Sequence, residues 1–139
     1  MPRPASASPQ LLGIAPLVPV SDLAASLAFY RDVLGFEVLI DAAEHSYAMV
    51  GRGDARIGLQ ANADAAALEA TRTNLAAYVL VDDIDALWSE ISPRCASLPR
   101  TRVRPPFMQD YGVKELHLKD PDGFLMLFGE AARDEDDAA

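Results

Sequence analysis

At 139 residues and 15.0 kDa, the chain has room for one compact domain or two small halves sharing a core. Half of its residues are hydrophobic, which excludes wholesale disorder, and no apolar run approaches the roughly eighteen residues of a membrane span. A net charge of −9 argues against nucleic acid, whose phosphates require a cationic footprint. The same acidity suits either a plain solubility surface or a cationic ligand. Its placement is uneven: residues 131–139 hold four acids and one arginine, reading as an acidic tail, and residues 1–11, rich in Pro, Ala and Ser, read as a disordered N-terminal tail. The single cysteine, Cys95, permits neither an internal disulfide nor a cysteine zinc cluster, and a reducing cytoplasm suits it. The opening MPRPASASPQ lacks the layout of a secretory signal.

The first packed element is a strand over Leu12 to Val20, confined to a sheet edge by Pro16 and Pro19, which cannot donate to a ladder. Ser21 or Asp22 caps a helix whose buried face is Leu23, Leu27, Tyr30 and Leu34, and Gly35 ends it. Strands follow over Phe36 to Ile40, Ser46 to Val50 and Ala55 to Ala61, the last two joined by a Gly-Arg-Gly-Asp turn. The alanine-rich stretch 62–74 lacks large apolar residues and reads as a connector with at most a helical turn. Leu75 to Val81 is then a strand, and Asp82 or Asp83 caps a helix built on Ile84, Leu87, Trp88 and Ile91, with Pro93 closing it. A short strand over Thr101 to Arg104 and a loop through 105–111 precede a hairpin, Lys114 to Lys119 and Phe124 to Gly129, around Asp120-Pro121-Asp122-Gly123.

The pattern repeats. A shift of 61 residues superimposes Val18 on Val79, Val20 on Val81, Asp22 on Asp83, Leu23 on Ile84 and Leu27 on Trp88. The chain is therefore read as an α+β fold of two βαβββ units, at about 12–62 and 75–130 within a domain spanning 12–130. Each unit is too small to bury its own sheet, so the units must pack on each other or on a second chain.

Two stretches, PLVPVSDLAASLAFYRDVLGFEVL (Pro16 to Leu39) and YGVKELHLKDPDGFLMLFGE (Tyr111 to Glu130), resemble the vicinal-oxygen-chelate superfamily. That superfamily includes glyoxalase I, extradiol dioxygenases, fosfomycin-modifying enzymes and bleomycin-resistance proteins. The resemblance implies curved mixed sheets around a cavity, with a divalent metal held by one ligand from the first and one from the last strand of each half. The matching positions here are Ala15, Gly58, Ala76 and Leu127, and none has a side chain able to coordinate an ion. No metal, other cofactor or catalytic residue is assigned on this reading. The branch the chain is similar to is the bleomycin-resistance type, an antibiotic-resistance protein that sequesters its drug. That branch implies a homodimer holding a small-molecule ligand in grooves at its interface, with no membrane partner.

Strand alternation places Leu17, Gln60, Tyr78, Leu80, Leu125, Glu115 and His117 on the cavity side, and Val18, Val20, Val79, Val81, Met126 and Phe128 under the helices. The candidate ligand-binding residues are Gln60, Tyr78, Tyr111, Glu115, His117, Phe107 and Gln109, the three from 107–111 forming a lip. Leu17, Leu80 and Leu125 either line the cavity or fill the barrel, and Trp88 is core. Two alternatives stay open. A relocated metal site on Glu115, His117 and Gln60 would allow a lyase, isomerase or dioxygenase, and a non-catalytic metabolite-sensing or accessory module would need no metal. Arg100, Arg102 and Arg104 alternate along one segment and are read as guarding a sheet edge, though on a cavity wall they would favour an anion.

Overall fold

The computed structural model describes residues 8–130. The expected tails therefore lie outside the described residues, except for 8–11, which are exposed and have no regular structure. The elements run Leu17–Val20 (β1), Leu23–Ala28 (α1), Glu37–Ala42 (β2), Tyr47–Arg52 (β3) and Ala55–Ala61 (β4) in the first half. Ala65–Asn74 (α2) leads to the second half: Ala76–Val81 (β5), Ile84–Cys95 (α3), Val103–Met108 (β6), Lys114–Lys119 (β7) and Leu125–Glu130 (β8). They form two four-stranded mixed sheets in equivalent orders, β1-β4-β3-β2 and β5-β8-β7-β6, so the α+β repeat read from the sequence is the observed architecture. In each sheet the first strand pairs in parallel with the last, Leu17 opposite Gly58 and Tyr78 opposite Leu127.

The same local chemistry starts both main helices. Asp22 and Asp83 accept from the backbone N–H of Ala25 and Ala86, at 3.1 and 3.0 Å, each satisfying a donor that the helix itself leaves free. The first helix continues as a π-helical turn over Phe29–Val33 and stops at Gly35, whose φ of +72° is the left-handed conformation glycine tolerates. The Phe36 N–H closes back on the Tyr30 carbonyl at 2.9 Å.

Three expectations are corrected. Residues 65–74 form a ten-residue helix rather than a connector. Alanine propensity and the Asp64 cap on the Ala66 N–H build it where apolar periodicity is missing. Pro93 does not close α3, which runs on to Cys95 with the exposed Pro93 ring in its last turn. Residues 101–108 are not a short strand and then a loop. Arg100–Arg102 form a 3-10 turn, and β6 extends through Pro105 and Pro106 to Met108, with a register shift between Arg104 and Phe107. Proline is tolerated there because β6 is an edge strand.

The helix-side faces of both sheets share one continuous core. Val18, Val20, Tyr30, Ile84, Ile91, Leu116, Met126 and Phe128 are all nearly or wholly buried in it, and Val79, Val81 and Trp88 pack against its rim. The halves are also tied by polar bonds. Tyr30 Oη donates to Asp120 Oδ2 at 3.1 Å, and the Ser21 N–H donates to Asp122 Oδ2 at 3.0 Å. Arg52 makes a two-pronged bond to Glu90 at 2.6 and 2.8 Å and also donates to the Leu34 carbonyl. The opposite faces of the sheets carry no helix. Leu17 is 63 % exposed there and Leu80 71 %. Among the described residues no helix is long and apolar enough to cross a membrane.

Candidate functional site

The open face of the second sheet gathers six of the seven candidate residues. Glu115 on β7 stands opposite Phe107 on β6 and Gly129 on β8, while His117 stands opposite Leu127, which itself faces Tyr78 on β5. Opposed residues project to one side, so Tyr78, Glu115, His117 and Phe107 share a face. Gln109 and Tyr111 join them through the β6–β7 turn. The Gln109 N–H bonds the Val113 carbonyl, the Gly112 N–H bonds the Gln109 carbonyl, and Gly112 has a φ of +87°.

Glu115 is the centre. Its side chain is 1 % exposed, although it lies on the side of the sheet without a helix. Oε1 accepts from Gln109 Nε2 at 2.9 Å and from His117 Nε2 at 2.9 Å. Oε2 accepts from Tyr78 Oη at 2.9 Å and from Tyr111 Oη at 2.5 Å. A carboxylate only accepts, so His117 carries its proton on Nε2 in this arrangement. Phe107 packs edge-on to the His117 ring, with centroids 4.9 Å apart. A glycine at 129 is what lets Tyr78 lie across the sheet, since a Cβ there would overlap its phenol ring.

The charge state follows from these contacts. Burial pushes the Glu115 carboxyl up, but the bonds from Tyr111, Gln109, His117 and Tyr78 together pull harder and bring it down to about 2. The bond to Glu115, helped by burial, pushes the Tyr111 hydroxyl up to about 12. Burial, then the same carboxylate, raises Tyr78. Near neutrality both phenols therefore keep the hydrogens they donate. A carboxyl depressed by folding stabilises the chain fully above its ordinary value of 4.5, and that stabilisation is lost as the pH falls toward about 2. Urea melts of wild type should accordingly show a steep loss of stability between about pH 5 and about pH 3. Glu115→Gln should flatten that slope, and equal slopes in the two proteins would contradict the depressed value.

Gln60 is not part of this cluster. It is exposed on β4 in the other sheet, opposite Pro19 and Tyr47. The relocated metal trio is thus not assembled in one chain, and Glu115 and His117 spend their facing atoms on each other. Among the described residues no three His, Cys, Asp or Glu side chains are grouped to hold a metal ion. At the positions implied by the resemblance, Leu17 and Tyr47 crowd the space beside Gly58, and Leu127 offers only hydrocarbon. The donor set does not fit a divalent ion.

The three arginines do not share a face, contrary to the edge-guard expectation. Arg102 leans to the helix side, with Nε bonded to the Lys119 carbonyl at 3.1 Å and its guanidinium 5.2 Å from the Phe29 ring. Arg104 lies opposite His117 on the open face, its guanidinium 3.4 Å from the centre of the Phe107 ring. The 3-10 turn over Arg100–Arg102 breaks the strand alternation that the sequence pattern implied. Of the three arginines that the sequence reading weighed between an edge guard and a cavity wall, Arg104 is the one beside the cluster, paired with His117 across the β6–β7 hairpin.

A groove of about 1070 Å³ runs along the free edge of β5. Leu34, Phe36, Arg52 and Ile57 line it from the first half, and Ala76, Tyr78 and Leu80 from β5. Tyr78 is the member of the Glu115 cluster in its lining, which also carries the charged side chains of Asp54, Arg56, Asp82, Asp83 and Glu90.

Residues 12–128 match the model of the Glyoxalase/Bleomycin resistance protein/Dioxygenase superfamily. Solved structures share the fold. The bleomycin resistance determinant encoded on transposon Tn5 is 22 % identical, with a TM-score of 0.70 over 86 % of this chain and 98 % of that one. The bleomycin-binding protein of bleomycin-producing Streptomyces verticillus, in complex with copper(II)-bleomycin, is 25 % identical, with a TM-score of 0.71 over 90 % and 100 % of the two chains. A glyoxalase/bleomycin resistance protein from Catenulispora acidiphila is 24 % identical, with a TM-score of 0.66 over 88 % and 100 %. No curated protein sequence matches the chain. With the family model spanning both βαβββ units, the chain belongs to the glyoxalase/bleomycin resistance protein/dioxygenase superfamily.

Proposed function

We propose that this protein is a metal-independent, ligand-sequestering member of the superfamily, of the bleomycin-resistance type. The observation that carries the reading is the open face of the second sheet, where a buried carboxylate is ringed by Tyr78, Tyr111, Gln109 and His117 beside exposed Leu80. An aromatic and apolar surface with a few fixed polar atoms binds without needing a reacting group. The superfamily's metal positions, filled by Ala15, Gly58, Ala76 and Leu127, support binding over metal chemistry. The bleomycin-binding protein of Streptomyces verticillus supports the ligand class, a large cationic glycopeptide or a molecule of similar character.

Two open sheet faces with exposed Leu17 and Leu80 support a homodimer, in which the second sheet of one chain faces the first sheet of its partner. Gln60 reaches the ligand only in such an arrangement. Calorimetric titration with metal-free bleomycin tests the drug reading. Saturable binding is expected, weakened at least tenfold in Tyr78→Ala, and no binding at millimolar drug would discard bleomycin as the ligand.

A further inference from the structure

An ionised carboxylate has about four acceptor directions on its two oxygens. All four of Glu115's are filled, two on Oε1 by Gln109 and His117 and two on Oε2 by Tyr78 and Tyr111. Glu115 is also 1 % exposed, so no ligand touches it directly. Its effect must pass through the four side chains it holds.

That effect is a matter of hydrogen-bond polarity. A phenol has one hydrogen, and both phenols give theirs to Glu115, so what they turn outward is oxygen lone pairs. Gln109 gives one of its two amide N–H groups and keeps the other beside its Oε1 acceptor, so the fixed acceptors are the two phenols. Tyr78 and Tyr111 are 47 % and 66 % exposed, so a ligand can reach both side chains. The charged donor beside the cluster, the Arg104 guanidinium, sits over Phe107, 3.4 Å from the centre of its ring. It repels a cation at that end and leaves the phenol end as the place for one.

We propose that Glu115 is a positioning residue that fixes both phenols as acceptors, so that the group bound between Tyr78 and Tyr111 is an N–H donor (an ammonium, amidinium, guanidinium or amide) and not a carboxylate or phosphate. This rests on the reading of the open face as the ligand site. A carboxylate there would meet two phenol oxygens with no hydrogen left to give, in front of a buried negative charge. An unmatched acceptor facing acceptors is strongly rejected, because neither side recovers the hydrogen bond lost from water.

Two probe pairs separate polarity from charge. Benzamidinium and benzoate have the same ring and opposite charge. Indole and benzofuran are neutral and nearly isosteric, and only indole carries an N–H. Binding is read from NMR shifts of residues 109–115 and of the Tyr78 and Tyr111 rings. In wild type, benzamidinium should bind at least tenfold better than benzoate, and indole several-fold better than benzofuran. In Glu115→Gln an amide nitrogen in place of Oε2 accepts from neither phenol, so their O–H groups turn outward and both preferences should collapse. Tyr111→Phe loses one donor to Glu115 and some stability with it, but should keep a cooperative melting transition and weaken benzamidinium severalfold, which keeps the test valid if the Glu115→Gln protein is unstable.

If none of the four probes shifts these residues in wild type, the ligand-site reading itself falls. If benzoate or benzofuran binds as well as its partner, the site stands and the wiring is wrong. A preference confined to the charged pair assigns selection to the charge of Glu115 alone, and a preference that survives in Glu115→Gln removes Glu115 from the role. Either result overturns the proposal.

Discussion

Replacing Asp120 by alanine should destabilise the protein by about 3–4 kcal/mol, enough to lower its melting temperature by roughly 10 °C. Asp120 is fully buried, and both carboxylate oxygens are engaged. Oδ1 accepts from the backbone N–H groups of Asp122 and Phe124, each at 2.9 Å, and so closes the turn between β7 and β8. Oδ2 accepts the Tyr30 hydroxyl from the first half of the chain. Truncation leaves three donors in or beside the core without partners, and that desolvation penalty, more than the lost bonds themselves, sets the magnitude. Burial raises the Asp120 carboxyl above its ordinary range, against the pull of those same donors, so the negative charge is costly to keep. Asp120→Asn keeps the acceptor for the two N–H groups and offers the Tyr30 hydroxyl a donor, so it should cost only about 1 kcal/mol. Urea melts of the two variants check this pair. Equal losses would show that charge, and not acceptor geometry, holds the halves together.

Leu80→Asp should convert a dimer into a monomer, raising its dissociation constant by about 100-fold or more. Leu80 is 71 % exposed on the open face of β5, and Leu17 on the matching strand of the other sheet is 63 % exposed. Covering each such side chain is worth roughly 1.5–3 kcal/mol, whereas trapping an unpaired carboxylate in the same interface costs several. Because Leu80 contributes little to the core of its own chain, the far-UV circular dichroism of the variant should match wild type. Sedimentation velocity over a range of concentrations distinguishes the outcomes. A wild-type protein that sediments as a monomer throughout would remove the dimer, and with it Gln60 as a ligand contact.

Much of this molecule follows from local chemistry that a sequence displays. Asp22 and Asp83 precede apolar residues at helical spacing, and both cap helices. The Asp-Pro-Asp-Gly turn dictates a hairpin because Asp120 can fold back onto its own backbone and Gly123 accepts a φ of +90°. Alternation along β1 and β5 separates Val18 and Val20, which are buried, from Leu17 and Leu80, which are not. These signals depend on neighbours within a few residues. The helix at 65–74 escapes the same reading because it has no buried residue, and so leaves no periodic trace.

The candidate site divides along the same line. Alternation alone puts Glu115 and His117 on one face, because a strand has a period of two and both lie on β7, and the pairings through β8 add Tyr78. The resemblance implies Ala15, Gly58, Ala76 and Leu127 at the superfamily's metal positions, and a side chain without a donor atom needs no structure to be disqualified. Only the tertiary structure decided that Glu115 is buried and saturated, that Arg104 faces the site while Arg102 turns away, and that Gln60 lies on a separate sheet. The first two depend on pairings between β5, β6, β7 and β8, on the tight turn at Gly112, or on the 3-10 turn before β6, and the third on β4 pairing with β1 and β3. The polarity of a hydrogen-bonded cluster belongs to residues distant in the chain, and it exists only once the strands that carry them are in register.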